Sequence, residues 1–464
     1  MSPAVDVDVA VVGAGVAGLT AAHELRRAGL TVRVFEELPY VGGRMHSFRH
    51  EGYVIDEGAE QIPEQGYRAT WELLARLGVT DRDVPRIGKA VGVWRAGRAH
   101  PGVAEPAALV SGAGLSPRAR LDLARLLAWT AVHRTEFDSD RPERTPAGTR
   151  TVASFARRYH PDLHDYLLQP VAGCFFGWDT ARSAVAPLIS LMQAVGPASR
   201  WRTYHDGMDL LARRLAEHAD VETGAPVHEV VDDGREVRLH GPAGTVTARA
   251  AVLAVPAPVA ARLHPAAPED EREFLTACTF TPSFKVSCLL DRPLAPASAR
   301  PLYALLTPDA EDGLLSGILV DHAKHPGRAP AGKGLLTLMA DPRRIPELCG
   351  ADPRETAARL IRAAARYVPG LPGAVREHFV HGFTHALPEA TPEALAHRPR
   401  FAARAPRRVE YAGDWLTLCP ASEAAVRSGA LAASRVLSRL HPSPTAAAAR
   451  PAAPAPRSDR LETA

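Results

Sequence analysis

Gly13, Gly15 and Gly18 have the types and spacing to cradle a pyrophosphate, and Glu36 stands where a ribose would lie. Gly13 permits a tight strand-to-helix turn. Gly15 lacks a Cβ, so backbone can approach the phosphates, and Gly18 lets the helix pack closely on the strand. The helix N-terminus then offers free N–H groups and a partial positive charge. Glu36 closes the second strand; it can accept both hydrogen bonds of a ribose diol, and its charge repels a 2′-phosphate. A glycine triplet alone is common in ordinary turns. Here an apolar strand (Val7 to Val12), the glycines, a helical run, a second strand (Thr31 to Phe35) and the acid sit in register in one βαβ unit, which assigns dinucleotide binding.

Two further motifs fit the same task. In Gly42-Gly43-Arg44 the glycines let the chain pass close to a flat ring or a diphosphate, and the arginine adds a fixed cation. Far along the chain, Tyr411-Ala412-Gly413-Asp414-Trp415 reads as a strand delivering a small residue and an acid, suited to a ribityl-phosphate contact. Pro420-Ala421-Ser422 then opens a helix whose free N–H groups would face the pyrimidine edge of a flavin and stabilise its reduced, negatively charged form.

The elements that position these motifs span a chain of 464 residues, long enough for two domains. A net charge of +3, with no basic tract interleaved with aromatics, excludes nucleic acid as an expected partner. Five scattered cysteines without a CxxC pair argue against a zinc site or a disulfide framework; no metal is expected, and a reducing cytoplasm is. The N-terminus reads as a first strand rather than a signal peptide, and no window approaches the ~18 uninterrupted apolar residues of a spanning helix. The segment Leu121 to His133 has an apolar stripe, expected to face the core but leaving peripheral membrane contact open. Helical stretches are expected at about 116–131 and 152–195, the latter interrupted by the loop GCFFGWDTARSAVAP, and again after Asp206. Short strands follow, the last of them Ala250 to Val255, an apolar run expected to be buried on both faces of a mostly parallel sheet. A strand at Val409 to Ala412 and a helix at Ala421 to Leu440 return to the nucleotide layer, and the Pro/Ala-rich segment 442–464 reads as a disordered tail.

In the order and spacing of these motifs, with Asp56 to Gln61 (DEGAEQ), DGMDLLARRLA after Asp206, VLAVPAP at Val252 and the closing GDW…SEAAVRSG, the chain resembles the flavin amine oxidase, protoporphyrinogen oxidase and phytoene desaturase superfamily over essentially its whole length. The resemblance implies an α/β protein with a discontinuous Rossmann-type FAD-binding domain (1–80, 204–272, 401–441) and a second, α+β substrate-binding domain (81–203, 273–400). FAD is the implied cofactor, held by Gly13, Gly15, Gly18, Glu36, Gly43, Arg44, Val227, Gly413, Asp414 and Ser422, with Val227, in the strand APVHEVV, pairing its backbone with the adenine.

Lys285 occupies the place where amine-oxidising relatives keep a lysine that holds a water against the flavin. The alternation around it points Lys285 away from the more apolar face, so a solvent-facing strand lysine is the competing reading. Glu60, with Gln61, follows Gly58-Ala59 in a segment that in relatives runs beside the flavin ring, where a carboxylate can orient a substrate or act as a base. His381 and His385 precede the return to the nucleotide domain, and His385 is taken as the substrate-facing one. Phe175, Phe176, Trp178, Trp201 and Tyr204 are candidate pocket aromatics, with Asp179 beside them in a candidate lid. Two departures set this chain apart from simple amine oxidases: Ala421 stands where they place a cage aromatic, and Leu38 where they often carry an arginine. The implied activity is an FAD-dependent oxidase or dehydrogenase. It would take a hydride from a C–H next to nitrogen, or from an allylic or ring carbon, of a mainly apolar small molecule, with oxygen or another acceptor receiving the electrons and a setting in specialised metabolism. A desaturase at a membrane surface and an isomerase without net redox output are the alternatives.

Overall fold

The computed structural model describes residues 5–441 apart from 104 and 106, so the expected tail at 442–464 lies outside the described residues. The apolar run Val7–Val12 forms a strand with neighbours on both edges, Val32–Glu36 and Gly244–Leu253, each in parallel. Val12 stands opposite both Phe35 and Leu253, so three carboxyl ends finish level. That edge is where ligands bind in open α/β sheets. Asp220–Thr223 extends the sheet beyond Val32–Glu36. On the other side, Gly244–Leu253 takes Val237–Gly241 antiparallel along its first half and Val409–Tyr411 in parallel along its second. Glu229–Asp232 completes the layer. Its strands thus come from three separated parts of the chain.

The helix Val16–Arg27 leaves the first strand directly after Gly15. The last helix, Ser422–Leu440, lies across it so closely that a Cβ at Gly429 would stand 2.3 Å from the Ala17 carbonyl oxygen. Glu423 ties the same helix to Arg68–Arg76 by accepting from the Ala69 and Thr70 amides and the Thr70 hydroxyl.

A second, mixed sheet of seven strands runs in the order Val375–Pro388, Phe280–Leu290, Gly334–Ala340, Leu315–Val320, Leu302–Leu306, Ala90–Arg95 and Arg98–Val103. All neighbours are antiparallel except Leu302–Leu306 and Ala90–Arg95. Helices cover this sheet, among them Pro353–Ala364 and Gln169–Phe176.

Three local expectations are corrected. Val227 is not in a strand: the strand begins at Glu229, and Ala225 N–H, drawn to the Glu36 carbonyl, ties the preceding segment to the neighbouring strand as a connection. Gly173 to Phe176 is helical, and the turn falls at Gly177, whose positive φ ends the helix. The residues around Lys285 are buried on both faces of their strand, so the alternation there does not mark a solvent side. The helix Pro117–Val132 buries Ala119, Leu123, Leu126 and Thr130 and leaves Leu121, Leu127 and Val132 outward. Among the described residues no helix is long and apolar enough to cross a membrane.

Candidate functional site

The glycine loop is built as its spacing requires. Gly13 has φ +101°, a conformation costly for any residue with a Cβ. A Cβ on Gly18 would lie 2.0 Å from the Gly13 carbonyl oxygen, so helix and turn touch there. A Cβ on Gly15, by contrast, would meet nothing within 4 Å, because that position opens onto a cavity of about 1200 Å³. The Gly42-Gly43-Arg44 loop closes over it, with Gly42 N–H donating to the Ala14 carbonyl at 2.9 Å.

Glu36 is buried and lines this cavity. Its two oxygens each accept one backbone bond, from Ala14 N–H at 2.7 Å and Leu38 N–H at 3.0 Å. Burial pushes its carboxyl pKa up, and those amide bonds oppose the shift. The carboxylate is fixed in place and keeps lone pairs free for a diol. Arg44 forks onto Asp414 with two contacts of 2.8 Å and reaches the Ala386 carbonyl at 2.7 Å. It thereby joins the glycine loop, the final strand and the second sheet. Gly43, Val227, Gly413, Asp414, Ala421 and Ser422 line the same cavity. Val227 does so from the connection described above. An open groove beside Gly15, a fixed acid at the ribose position and a helix start at Ser422 fit an FAD in shape and in donor chemistry.

From this groove the cavity continues between the second sheet and the helices over it. That part is walled by Leu123, Leu126, Leu167, Val171, Ile189 and Met192, with Phe175, Phe176 and Trp201. Trp178 and Tyr204 do not line it. Trp178 instead spans to the Pro388 carbonyl through its indole N–H, and Tyr204 is packed in the core under the first sheet. Asp179 accepts from the Ala181 N–H and so shapes a turn outside the lining. His385 lines the cavity, edge-on to Phe280, and burial together with Arg262 and Arg44 lowers its pKa.

Lys285 and Glu60 meet at the wall of the cavity. Lys285 Nζ donates to the Gly58 carbonyl at 2.9 Å and to Glu60 Oε1. The other Glu60 oxygen accepts from Lys324 Nζ at 2.6 Å. Lys324 also binds Asp56 at 2.8 Å and Asp321 at 2.9 Å. Arg328 contacts Asp56 at 2.8 Å, and Ser47 donates to that same oxygen at 2.6 Å. Three carboxylates thus face three cations, all nine-tenths buried or more. The carboxylates are near enough to hold a metal ion, but the Lys324 ammonium already fills their centre. Burial would raise Asp56, yet Arg328 and Lys324 hold it well below the usual carboxylate range. Burial opposes charge on Lys324, and Asp321, Asp56 and Glu60 more than reverse that, raising its pKa. For Glu60 burial wins over its two lysines and the pKa rises, as suits a proton acceptor.

The sequence alone did not bring out Lys324, Asp321 and Arg328. One signal was present: the chain has only four lysines, and two of them, Lys285 and Lys324, lie in this cluster. A three-proton point charge fits among three carboxylates where a planar guanidinium would not.

The sequence profile described as flavin containing amine oxidoreductase matches residues 16–437. Protoporphyrinogen oxidase 2 of Arabidopsis thaliana is 33% identical over 171 residues, 36% of this chain and 32% of that protein. A putative flavin-containing monoamine oxidase of Mycobacterium tuberculosis is 44% identical over 95 residues, 20% of each chain. The matched stretches thus span a third or less of these curated relatives. Among solved structures, a redesigned putrescine oxidase superposes with a TM-score of 0.76 at 19% identity, covering 93% of this chain and 99% of the other. Cyclohexylamine oxidase from Brevibacterium oxydans gives 0.75 at 18%, covering 94% and 99%. At these identities the likeness speaks for the fold.

Proposed function

Because the chain belongs to the flavin containing amine oxidoreductase family, and is by that membership an FAD-dependent oxidoreductase, we propose that it oxidises a C–H bond of an uncharged, mainly apolar small molecule. The bond lies next to nitrogen or at an allylic or ring carbon. Bound FAD would supply the two-electron acceptor, held by Gly13, Gly15, Glu36, Gly43, Arg44, Val227, Gly413, Asp414 and Ser422, while Gly18 packs the helix onto the glycine turn and does not line the cavity. Aliphatic and aromatic side chains wall the inner cavity, orient the substrate and exclude water. Lys285 fixes Glu60 at the wall, and Glu60 takes the proton that the substrate loses. His385 faces the same space and contributes to substrate placement.

The observation that carries this reading is the company of the charged groups in the wall. Arg44 is committed to Asp414, and Lys285 is committed to Glu60. Neither is free to anchor a substrate carboxylate, and the two lysines on Glu60 weaken it as a partner for a cationic amine. Ala421, small where simple amine oxidases carry an aromatic, leaves room for a bulkier or flatter molecule.

Anaerobic mixing of the FAD-loaded protein with N-aryl tertiary amines that are neutral at the assay pH, polyenes and polycyclic compounds tests the proposal. Bleaching by one of these, and none by small primary amines or amino acids, is the expected result. A flavin that stays oxidised while a compound is isomerised would overturn it, and flotation with liposomes would reveal action at a membrane surface.

A further inference from the structure

The Phe280–Leu290 strand carries polar residues on one face of an otherwise apolar sheet. Lys285 is directly opposite His381 on one neighbouring strand, and Ser287 directly opposite Thr337 on the other. His381 Nε2 lies 3.1 Å from Ser287 Oγ, and Ser287 Oγ lies 3.4 Å from Thr337 Oγ1. Thr337 in turn donates to Asp321 at 2.8 Å, and Asp321 contacts Lys324, the partner of Glu60. These side chains are all buried, and Ser287, Thr337, Asp321 and His381 do not line the cavity. Burying hydroxyls and an imidazole in a row costs free energy that leucines there would not. At its far end His381 Nδ1 is 3.9 Å from Glu57, within ion-pair range and one small side-chain shift from a hydrogen bond. Glu57 is only half-buried and meets His46 at 3.1 Å, away from the cavity.

We propose that Glu60, Lys324, Asp321, Thr337, Ser287 and His381 form a proton relay between the cavity wall and Glu57. The assignment rests on the reading of Glu60 as the proton acceptor. A proton arriving on Glu60 passes to Lys324 while Lys324 gives one of its own to Asp321, so the ammonium never loses its charge. Once Asp321 is protonated, the Thr337 hydroxyl turns from it towards Ser287; Asp321 then donates to Thr337, Thr337 to Ser287, and Ser287 to His381 Nε2. The Nδ1 proton leaves towards Glu57. One proton enters at Glu60 and one leaves at Glu57; no carbon bond changes and no electrons move along the chain. His381 is suited to its place because burial, with Lys285 nearby, keeps it neutral and able to accept, its pKa lowered to about 4. The same path runs inward when the cavity needs a proton. Thr337 and Ser287 are positioning residues, acting through their neighbours.

The test uses FAD-loaded protein in weak buffer with phenol red. Methyl viologen radical is mixed in anaerobically; two radicals deliver two electrons and no proton, so the one proton the flavin takes on reduction is drawn first from groups at the cavity wall and must then be replaced from bulk water. In the parent, proton uptake is expected to keep pace with bleaching. In Thr337→Val and Ser287→Ala, bleaching should be unchanged while uptake lags by about tenfold or more, and Thr337→Ser should restore it. A structural role alone would not separate the two signals. Prompt uptake in both hydroxyl-less variants, with a lag in Glu60→Gln, overturns the relay and leaves Glu60 as acceptor. Prompt uptake in Glu60→Gln as well overturns both.

Discussion

Lys285 and Glu60, 225 residues apart in the chain, form a buried ion pair at the cavity wall. Removing one member leaves the other's charge without its closest partner in a dry site, typically a cost of about 3–5 kcal/mol. Removing both leaves neither. Lys285→Met and Glu60→Gln are therefore expected to be non-additive, with a coupling of about 1–3 kcal/mol in urea unfolding of the single and double variants. Additive losses would mean that the pair is not coupled.

The glycine loop separates packing from ligand contact. Gly18→Ala forces a Cβ to within 2.0 Å of the Gly13 carbonyl, and melting should fall steeply with or without FAD. Gly15→Ala meets open space, so the apoprotein should melt like the parent while FAD affinity drops by about tenfold or more. Thermal melts and flavin fluorescence titrations read the two effects; a Gly15→Ala protein that keeps full affinity would refute the pyrophosphate contact.

Glu36 accepts one backbone bond on each oxygen and faces the cavity. Its replacement by alanine removes the expected ribose contact and loosens the Ala14 amide at the loop. Glu36→Ala should emerge colourless from gel filtration under conditions where the parent stays yellow. Retention of colour would place the ribose elsewhere.

His381 gives a pH signature. Its pKa falls from 6.5 to about 4 because burial and then Lys285 disfavour the imidazolium. Between those values the unfolded chain binds the extra proton and the folded one does not, so stability rises with pH. The contribution is intact above about pH 6.5 and is lost as the pH drops towards 4, to the extent of about 3 kcal/mol. In denaturant titrations His381→Gln should show a correspondingly shallower decline; an unchanged slope would show that the histidine is not held neutral.

The nucleotide layer was legible in the sequence because its signals are local. Gly13, Gly15, Gly18 and Glu36 fall within one βαβ unit, and Val7–Val12 and Val32–Glu36 lie within a residue of the strands expected there. Lys285 and Glu60 were legible as candidates, but their bond to each other was not. Lys324 and Asp321 were hidden more deeply, since DHAKHPGR reads as an exposed charged turn and its partners, Asp56 and Glu60, lie 268 and 264 residues earlier. Burial of that turn is decided by the strands on either side of it, which local pattern does not encode. Val227 was misplaced in a strand because it leads directly into the Glu229–Asp232 strand, whereas the Ala225 bond to the Glu36 carbonyl ties the backbone before it to the ribose-side strand.

The contact of Gly429 with Ala17 joins nearly the two ends of the described chain. During synthesis the first helix emerges long before the last, and for that interval it has no lid on its outer face. If the start of the last helix holds FAD as proposed, cofactor capture waits until that helix has been made and has docked. On that reading a chain cut just before Ser422 is left with one wall of its nucleotide groove missing, however well its earlier segments had folded.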